Sequence, residues 1–130
     1  MSTSSLEELV RTLNDLNQNY PRPHAQLELT PLVEVIPGTN AQWPSNGKPG
    51  VYIFMDENKK LTYIGKASTD IGLRLSARFD TKWRSKTTES SRCKYISTIP
   101  LHPTVGFEAP SIEEYLLMHL KTEFNRVHNG

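Results

Sequence analysis

Two short apolar runs, residues 51–55 and 61–64, constrain the fold more than any other feature of this chain. The polar stretch Asp56-Glu57-Asn58-Lys59-Lys60 joins them, and Gly50 and Gly65 border their outer ends. Runs of this length around a polar turn read as a β-hairpin. With the turn centred between Glu57 and Asn58, Tyr52 falls opposite Tyr63. Directly opposed residues share a face, so both phenols project to one side of a sheet. Glycines at strand ends permit close backbone approach or special dihedrals.

Helices flank this hairpin. Leu6, Leu9, Val10, Leu13 and Leu16 recur at three- and four-residue steps and predict an amphipathic helix over residues 5–18. A capping box at its start is offered by Ser4 with Glu7 or by Ser5 with Glu8, and Pro21-Arg22-Pro23 ends it. Residues 32–36 and 94–99 are further strand candidates, each closed by a proline. Ile71, Leu75 and Phe79 form a second helical stripe, with Arg74 and Arg78 on a neighbouring face. A last helix is expected over 112–122, begun by Pro110-Ser111, with Ile112, Tyr115, Leu116 and Leu120 inward. Residues 1–45 read as an extension packed on a domain spanning 46–130.

The chain has 130 residues, of which 36% are hydrophobic, enough for one modest core. No apolar stretch approaches the roughly 20 residues that span a bilayer. The N-terminus lacks the basic and apolar regions of a secretory signal, and Cys93 is the single cysteine, which excludes an internal disulfide framework and a cysteine-rich zinc site. The expected location is cytoplasmic. His24, His102, His119 and His128 are scattered without metal-ligand spacing. Net charge is only +1, but it is unevenly spread: residues 1–49 carry −2, residues 50–100 carry +5 and residues 101–130 carry −2. Localised positive charge of this kind attracts phosphate.

The order Gly50-Val51-Tyr52, Tyr63-Ile64-Gly65-Lys66, Arg74-Leu75, Glu113-Glu114-Tyr115-Leu116-Leu117 and Phe124-Asn125 resembles the GIY-YIG nuclease superfamily. That resemblance spans Gly50 to Asn125. It implies an α+β fold, with a small, mainly antiparallel three-stranded sheet flanked by helices, here carrying an N-terminal helical extension. It also implies metal-dependent hydrolysis of DNA with Mg²⁺ or Mn²⁺. In the family's pattern Glu113 holds the metal, Arg74 the scissile phosphate, and Tyr52 or Tyr63 positions or activates water. The residue types suit that chemistry on their own terms. Phosphodiester hydrolysis needs a nucleophilic water, neutralised phosphoryl charge and a stabilised leaving oxygen. An arginine fork matches phosphate oxygens, one carboxylate can hold a largely hydrated Mg²⁺, and a cation beside a tyrosine lowers its pKa.

Ser111 and Glu114 have capping-box spacing, which occupies Glu114 and leaves Glu113 beside the apolar stripe. Arg78 departs from the family's pattern, in which Tyr or His stands four residues after the arginine. It cannot act as an ordinary base, so it either binds phosphate or marks weakened catalysis. Lys66, Lys82, Arg84 and Asn125 are further candidates for DNA or phosphate contact, with Lys66 alternatively a plain surface residue and Asn125 a helix cap. Trp83, among basic residues, either stacks on a base or anchors the core. A catalytically inactive DNA-binding module and a protein-interaction domain are the competing readings. Sequence specificity would come from the loops, a partner protein or a homo-oligomer.

Overall fold

Gly50–Met55 (β2) is the central strand of the sheet in the computed structural model, which describes residues 2–23 and 25–125. It pairs antiparallel with Leu61–Ala67 (β3) on one side and Tyr95–Pro100 (β4) on the other. The two-residue strand Val33–Glu34 (β1) adds to the outer edge of β4, giving the order β1-β4-β2-β3. The expected three-stranded sheet is therefore present and gains a fourth, short edge strand from residues expected to lie outside it. All six residues of β2 are buried, as befits a strand covered on both faces.

Alternation along the strands divides the core in two. Val51, Ile53, Met55, Ile64 and Ile99 face Leu6–Asn19 (α1) and Ala109–His119 (α3) and join one cluster with Leu9, Leu13, Leu16, Ile112 and Leu116. The N-terminal helix is thus part of the main core. Its start uses the Ser5–Glu8 box: Ser5 Oγ accepts from the Glu8 backbone at 3.2 Å, and Glu8 Oε1 accepts from the Ser5 backbone at 3.1 Å. Tyr52, Phe54, Ala67 and Ile96 face the other way, against Ile71–Ser76 (α2) and the loops on either side of it.

The hairpin register differs from the expected one. Tyr52 pairs with Gly65 and Tyr63 with Phe54, because a bulge at the turn end sets Met55 against Leu61 and leaves Thr62 over. The slip is two residues, so it preserves the side to which each phenol points.

The outer edge of β3 is closed by the C-terminal segment. The side chain of Asn125 accepts from the Ile64 N–H at 2.8 Å and donates to the Ile64 carbonyl at 2.9 Å, as a neighbouring strand would. The Phe124 N–H donates to the Thr62 carbonyl at 2.8 Å. Asn125 is therefore an edge clasp and not a cap of α3, whose C-cap is Leu120. Asn125→Ala should lower unfolding free energy by about 1–3 kcal/mol, since it leaves both Ile64 groups unpaired. Urea denaturation with an unchanged midpoint would contradict this assignment.

Cys93 packs under the second face, its Sγ 3.4 Å from the Tyr95 carbonyl. Burial pushes its thiol well above the ordinary range, and backbone contacts from Met55 and Tyr95 only partly oppose that. Alkylation by iodoacetamide at pH 8 should be at least about 100-fold slower in the native protein than in urea, because the thiolate is the reactive form. Equal rates in the two states would contradict the burial. Among the described residues no helix is long and apolar enough to cross a membrane.

Candidate active site

The second face of the sheet gathers four of the sequence-predicted residues: Tyr52, Tyr63, Arg74 and Arg78. Tyr52 lies fully buried across its partner Gly65. A Cβ at residue 65 would stand 2.2 Å from the Tyr52 Cζ and 2.3 Å from its oxygen, so glycine is what lets the ring lie there. Gly50 is required for a different reason. Its φ is +149°, and a Cβ would come 2.1 Å from the Ile99 carbonyl oxygen. Tyr63 is half-buried, its ring 6.2 Å from that of Tyr52 and 5.8 Å from that of Phe54.

The arginines reach the phenols because α2 is anchored at its start. Asp70 caps the helix and also accepts from the Gly47 N–H at 2.8 Å, while the Ile71 N–H donates to the Lys48 carbonyl at 2.7 Å. The helix is shorter than the 71/75/79 stripe suggests and has its C-cap at Ala77. Hydrogen bonds from the Arg78 and Phe79 amides to the Leu75 carbonyl, at 2.9 and 3.0 Å, continue the turn, so Phe79 still reaches the core. Arg74 remains exposed. Arg78 is half-buried, with its guanidinium carbon 5.8 Å from the centre of the Tyr52 ring and 5.6 Å from that of Tyr63.

Electrostatics separate these groups. Burial raises the Tyr52 phenol above its ordinary pKa of 10.0, outweighing the opposing charges of Arg78 and Arg74. A neighbouring cation was expected to lower a motif phenol; at Tyr52 desolvation wins, and the hydroxyl stays neutral. Burial also works against the charge on Arg78, but hydrogen bonding to Tyr63 and the nearby Tyr52, Tyr63 and Glu89 leave its pKa raised. Tyr52 Oη and Arg78 Nε are both buried without a hydrogen-bond partner of good geometry. Such atoms cost about 1–3 kcal/mol each when left unsatisfied, and they are tolerated where function supplies the partner.

Among the described residues, no hydrogen bond or ring contact joins Lys66, Lys82 or Arg84 to the phenols. Lys66 is exposed and belongs to the alternate set on β3 that faces α3. Lys82 donates to Asn40 at 2.7 Å, and Arg84 pairs with Asp80 at 3.0 Å. Trp83 is 4% exposed and sits within an aromatic file running from Phe54 through Phe79 to Trp83 and Trp43, so it anchors the core and is not a stacking platform. His24 and His128 lie outside the described residues. A cavity of about 580 Å³ is lined by none of these side chains; Arg22, Leu27, Leu101 and Glu108 are among its walls.

Glu113 stands half-buried on α3 between the buried Ile112 and the exposed Glu114. The expected Ser111–Glu114 capping box is absent. The helix begins at Ala109 with Pro110 in its first turn, and Glu108 occupies the cap position without a side-chain bond. Exposure, not capping, therefore distinguishes the two glutamates. Ahead of α3, the 3₁₀ helix Pro103–Glu108 brings Gly106 so close to the loop after β3 that a Cβ there would be 2.3 Å from the Ser68 carbonyl oxygen. Among the described residues no three His, Cys, Asp or Glu side chains cluster to hold a metal. A lone carboxylate suits a hard divalent cation that keeps most of its water, and does not suit a zinc cage.

A family model, the GIY-YIG catalytic domain, matches residues 48–125. The chain belongs to the GIY-YIG family. That span holds the hairpin, both arginines, α3 and the Asn125 clasp, and the family is one of nucleases that cleave DNA. No curated protein and no solved structure matches the chain significantly. Sequence reasoning missed Ser90, whose buried hydroxyl donates to the Arg78 carbonyl at 2.9 Å from a loop read as irregular; its composition carries no signal for that position.

Proposed function

We propose that the protein is an endonuclease that hydrolyses DNA phosphodiester bonds with the help of Mg²⁺ or Mn²⁺. The observation that carries this reading is the meeting of Tyr52, Tyr63 and Arg78, with Arg74 acting on the same phenol, around two buried polar atoms without a hydrogen-bond partner of good geometry. A phosphate and its attacking water are groups to which such atoms would donate. Arg74, exposed beside the Tyr52 phenol, binds the scissile phosphate through its planar fork. Arg78 adds a second fixed positive charge to the phosphoryl oxygens. Tyr52, held neutral, donates a hydrogen bond, and the more accessible Tyr63 orients the water. In the reaction the water oxygen bonds to phosphorus, one P–O ester bond breaks, and the water's proton ends on the departing oxygen.

Glu113 is the residue that would hold the metal. When bound, the ion supplies Lewis-acid stabilisation of the phosphoryl and leaving-group charge. Sequence specificity falls to the surface loops or to a partner protein, and the proposed location is the cytoplasm. Arg78 also favours a second reading, a DNA-binding module without turnover, because a permanent cation replaces a residue able to move protons. Incubating wild-type protein, Arg74→Ala and Glu113→Ala with plasmid DNA and Mg²⁺ or Mn²⁺ separates the two readings. Equal residual cleavage by all three would sink the nuclease reading. DNA binding that is absent or insensitive to salt would sink the binding reading as well.

A further inference from the structure

A chain of three hydroxyls runs beside Tyr52 on the second face of the sheet. Thr98 of β4 is the direct partner of Tyr52 on β2, so the two side chains share that face. Thr98 is fully buried, and its Oγ1 lies 2.9 Å from Thr30 Oγ1 and 2.7 Å from Ser45 Oγ. The Thr98 N–H also donates to Thr30 Oγ1, at 3.0 Å. With Thr30 donating to Thr98 and Thr98 to Ser45, each oxygen accepts once. The last hydrogen, on half-buried Ser45, is then left to donate outward. The reverse order makes Thr30 accept twice and Ser45 not at all. Ser45 holds this place at φ +55°, the left-handed region that glycine enters freely and that strains a residue with a Cβ. Such outliers cluster at ligand-binding sites.

We infer that Ser45 is a DNA-contacting residue, its hydroxyl set by Thr98 and Thr30 to donate a hydrogen bond to a backbone phosphate oxygen on the Tyr52 face. The inference rests on the DNA-cleaving reading of that face and deepens it with a contact from outside the matched residues 48–125. Hydroxyl side chains commonly donate to phosphates, and they fix the register of a strand without reading its sequence. The turn after Ser45 packs on the helix that carries Arg74: Asn46 Oδ1 fills the space that a Cβ on Gly72 would need. The Gly47 N–H donates to Asp70 at 2.8 Å, and the Lys48 carbonyl accepts from the Ile71 N–H at 2.7 Å. These anchors hold the turn without the hydroxyl. Glycine at residue 45 would relieve the strain and remove the donor; serine keeps the donor.

The test uses full-length wild-type protein, Ser45→Gly, Thr98→Val and the double variant, with a fluorescently labelled DNA duplex. Binding is measured in EDTA, so that no turnover intervenes, and cleavage separately in Mn²⁺. Ser45→Gly should weaken binding about fivefold, the scale of one hydrogen bond, while its melting temperature stays within about 2 °C of wild type. The slope of binding against salt should not change, because a hydroxyl releases no counterion. Thr98→Val should weaken binding similarly, although a fully buried residue cannot touch DNA, and the double variant should lose no more than Ser45→Gly alone. Should Thr98→Val fail to fold, the affinity and salt slope of Ser45→Gly decide. Binding by Ser45→Gly within about twofold of wild type, or losses that multiply in the double variant, overturns the inference. Wild-type protein that binds no DNA overturns it as well. If wild-type protein binds DNA without cleaving it, the nuclease reading fails, while the affinities still decide the role of Ser45.

Discussion

Arg74→Ala is expected to slow DNA cleavage about a thousandfold while leaving the fold intact, the scale of losing one group that stabilises developing charge. The intact fold follows from exposure. Arg74 contributes to no core cluster, and substitutions at such surface sites usually change stability by less than about 0.5 kcal/mol. The loss of rate follows from its place beside the Tyr52 phenol, with Arg78 next to it. DNA affinity should fall only modestly, and the slope of binding against salt should shrink by about one phosphate contact. Circular dichroism, a salt titration of binding and single-turnover cleavage measure these three quantities. A variant that cleaves within about threefold of wild type would remove Arg74 from the chemistry.

Gly65→Ala should be strongly damaging, costing about 3 kcal/mol and most of the activity. The added methyl would sit 2.2 Å from the Tyr52 ring, and that ring is fully buried with Phe54 5.5 Å away. Neither the ring nor β3 can yield without disturbing the hairpin, so the phenol is displaced. The cost is specific to the pair. In a Tyr52→Leu background, where the long ring is gone, Gly65→Ala should cost less than about 1 kcal/mol. Thermal denaturation of the four proteins completes the cycle. Additive losses would show that the glycine serves the backbone alone, as Gly50 does at its positive φ.

Most of this site's scaffold is legible in the chain. The hairpin is read from two apolar runs, and the shared side of Tyr52 and Tyr63 survives a register slip of two because side chains alternate with a period of two. The capping box, offered by either Ser4 with Glu7 or Ser5 with Glu8, is local and forms with the second pair. The corresponding reading at Ser111 and Glu114 fails for an equally local reason: α3 starts at Ala109, so Ser111 lies inside the helix. Basic residues around Trp83 suggest a DNA-contacting stretch, yet the tryptophan is core, and Lys82 and Arg84 are engaged with Asn40 and Asp80. Charge and residue type alone do not say which side of a loop faces water.

The sequence by itself determined the family and the hairpin, and it supplied the two tyrosines, Arg74 and Glu113 as candidates, because these depend on spacing along short stretches of chain. Tertiary structure decided what each group meets. It placed Asn125 on the backbone of Ile64, 61 positions earlier, set Arg78 against both rings and a distant loop, and buried Tyr52 deeply enough for desolvation to outweigh two arginines. Pairings of that kind depend on how separate segments pack, and burial is a property of the packed chain that no window of residues contains.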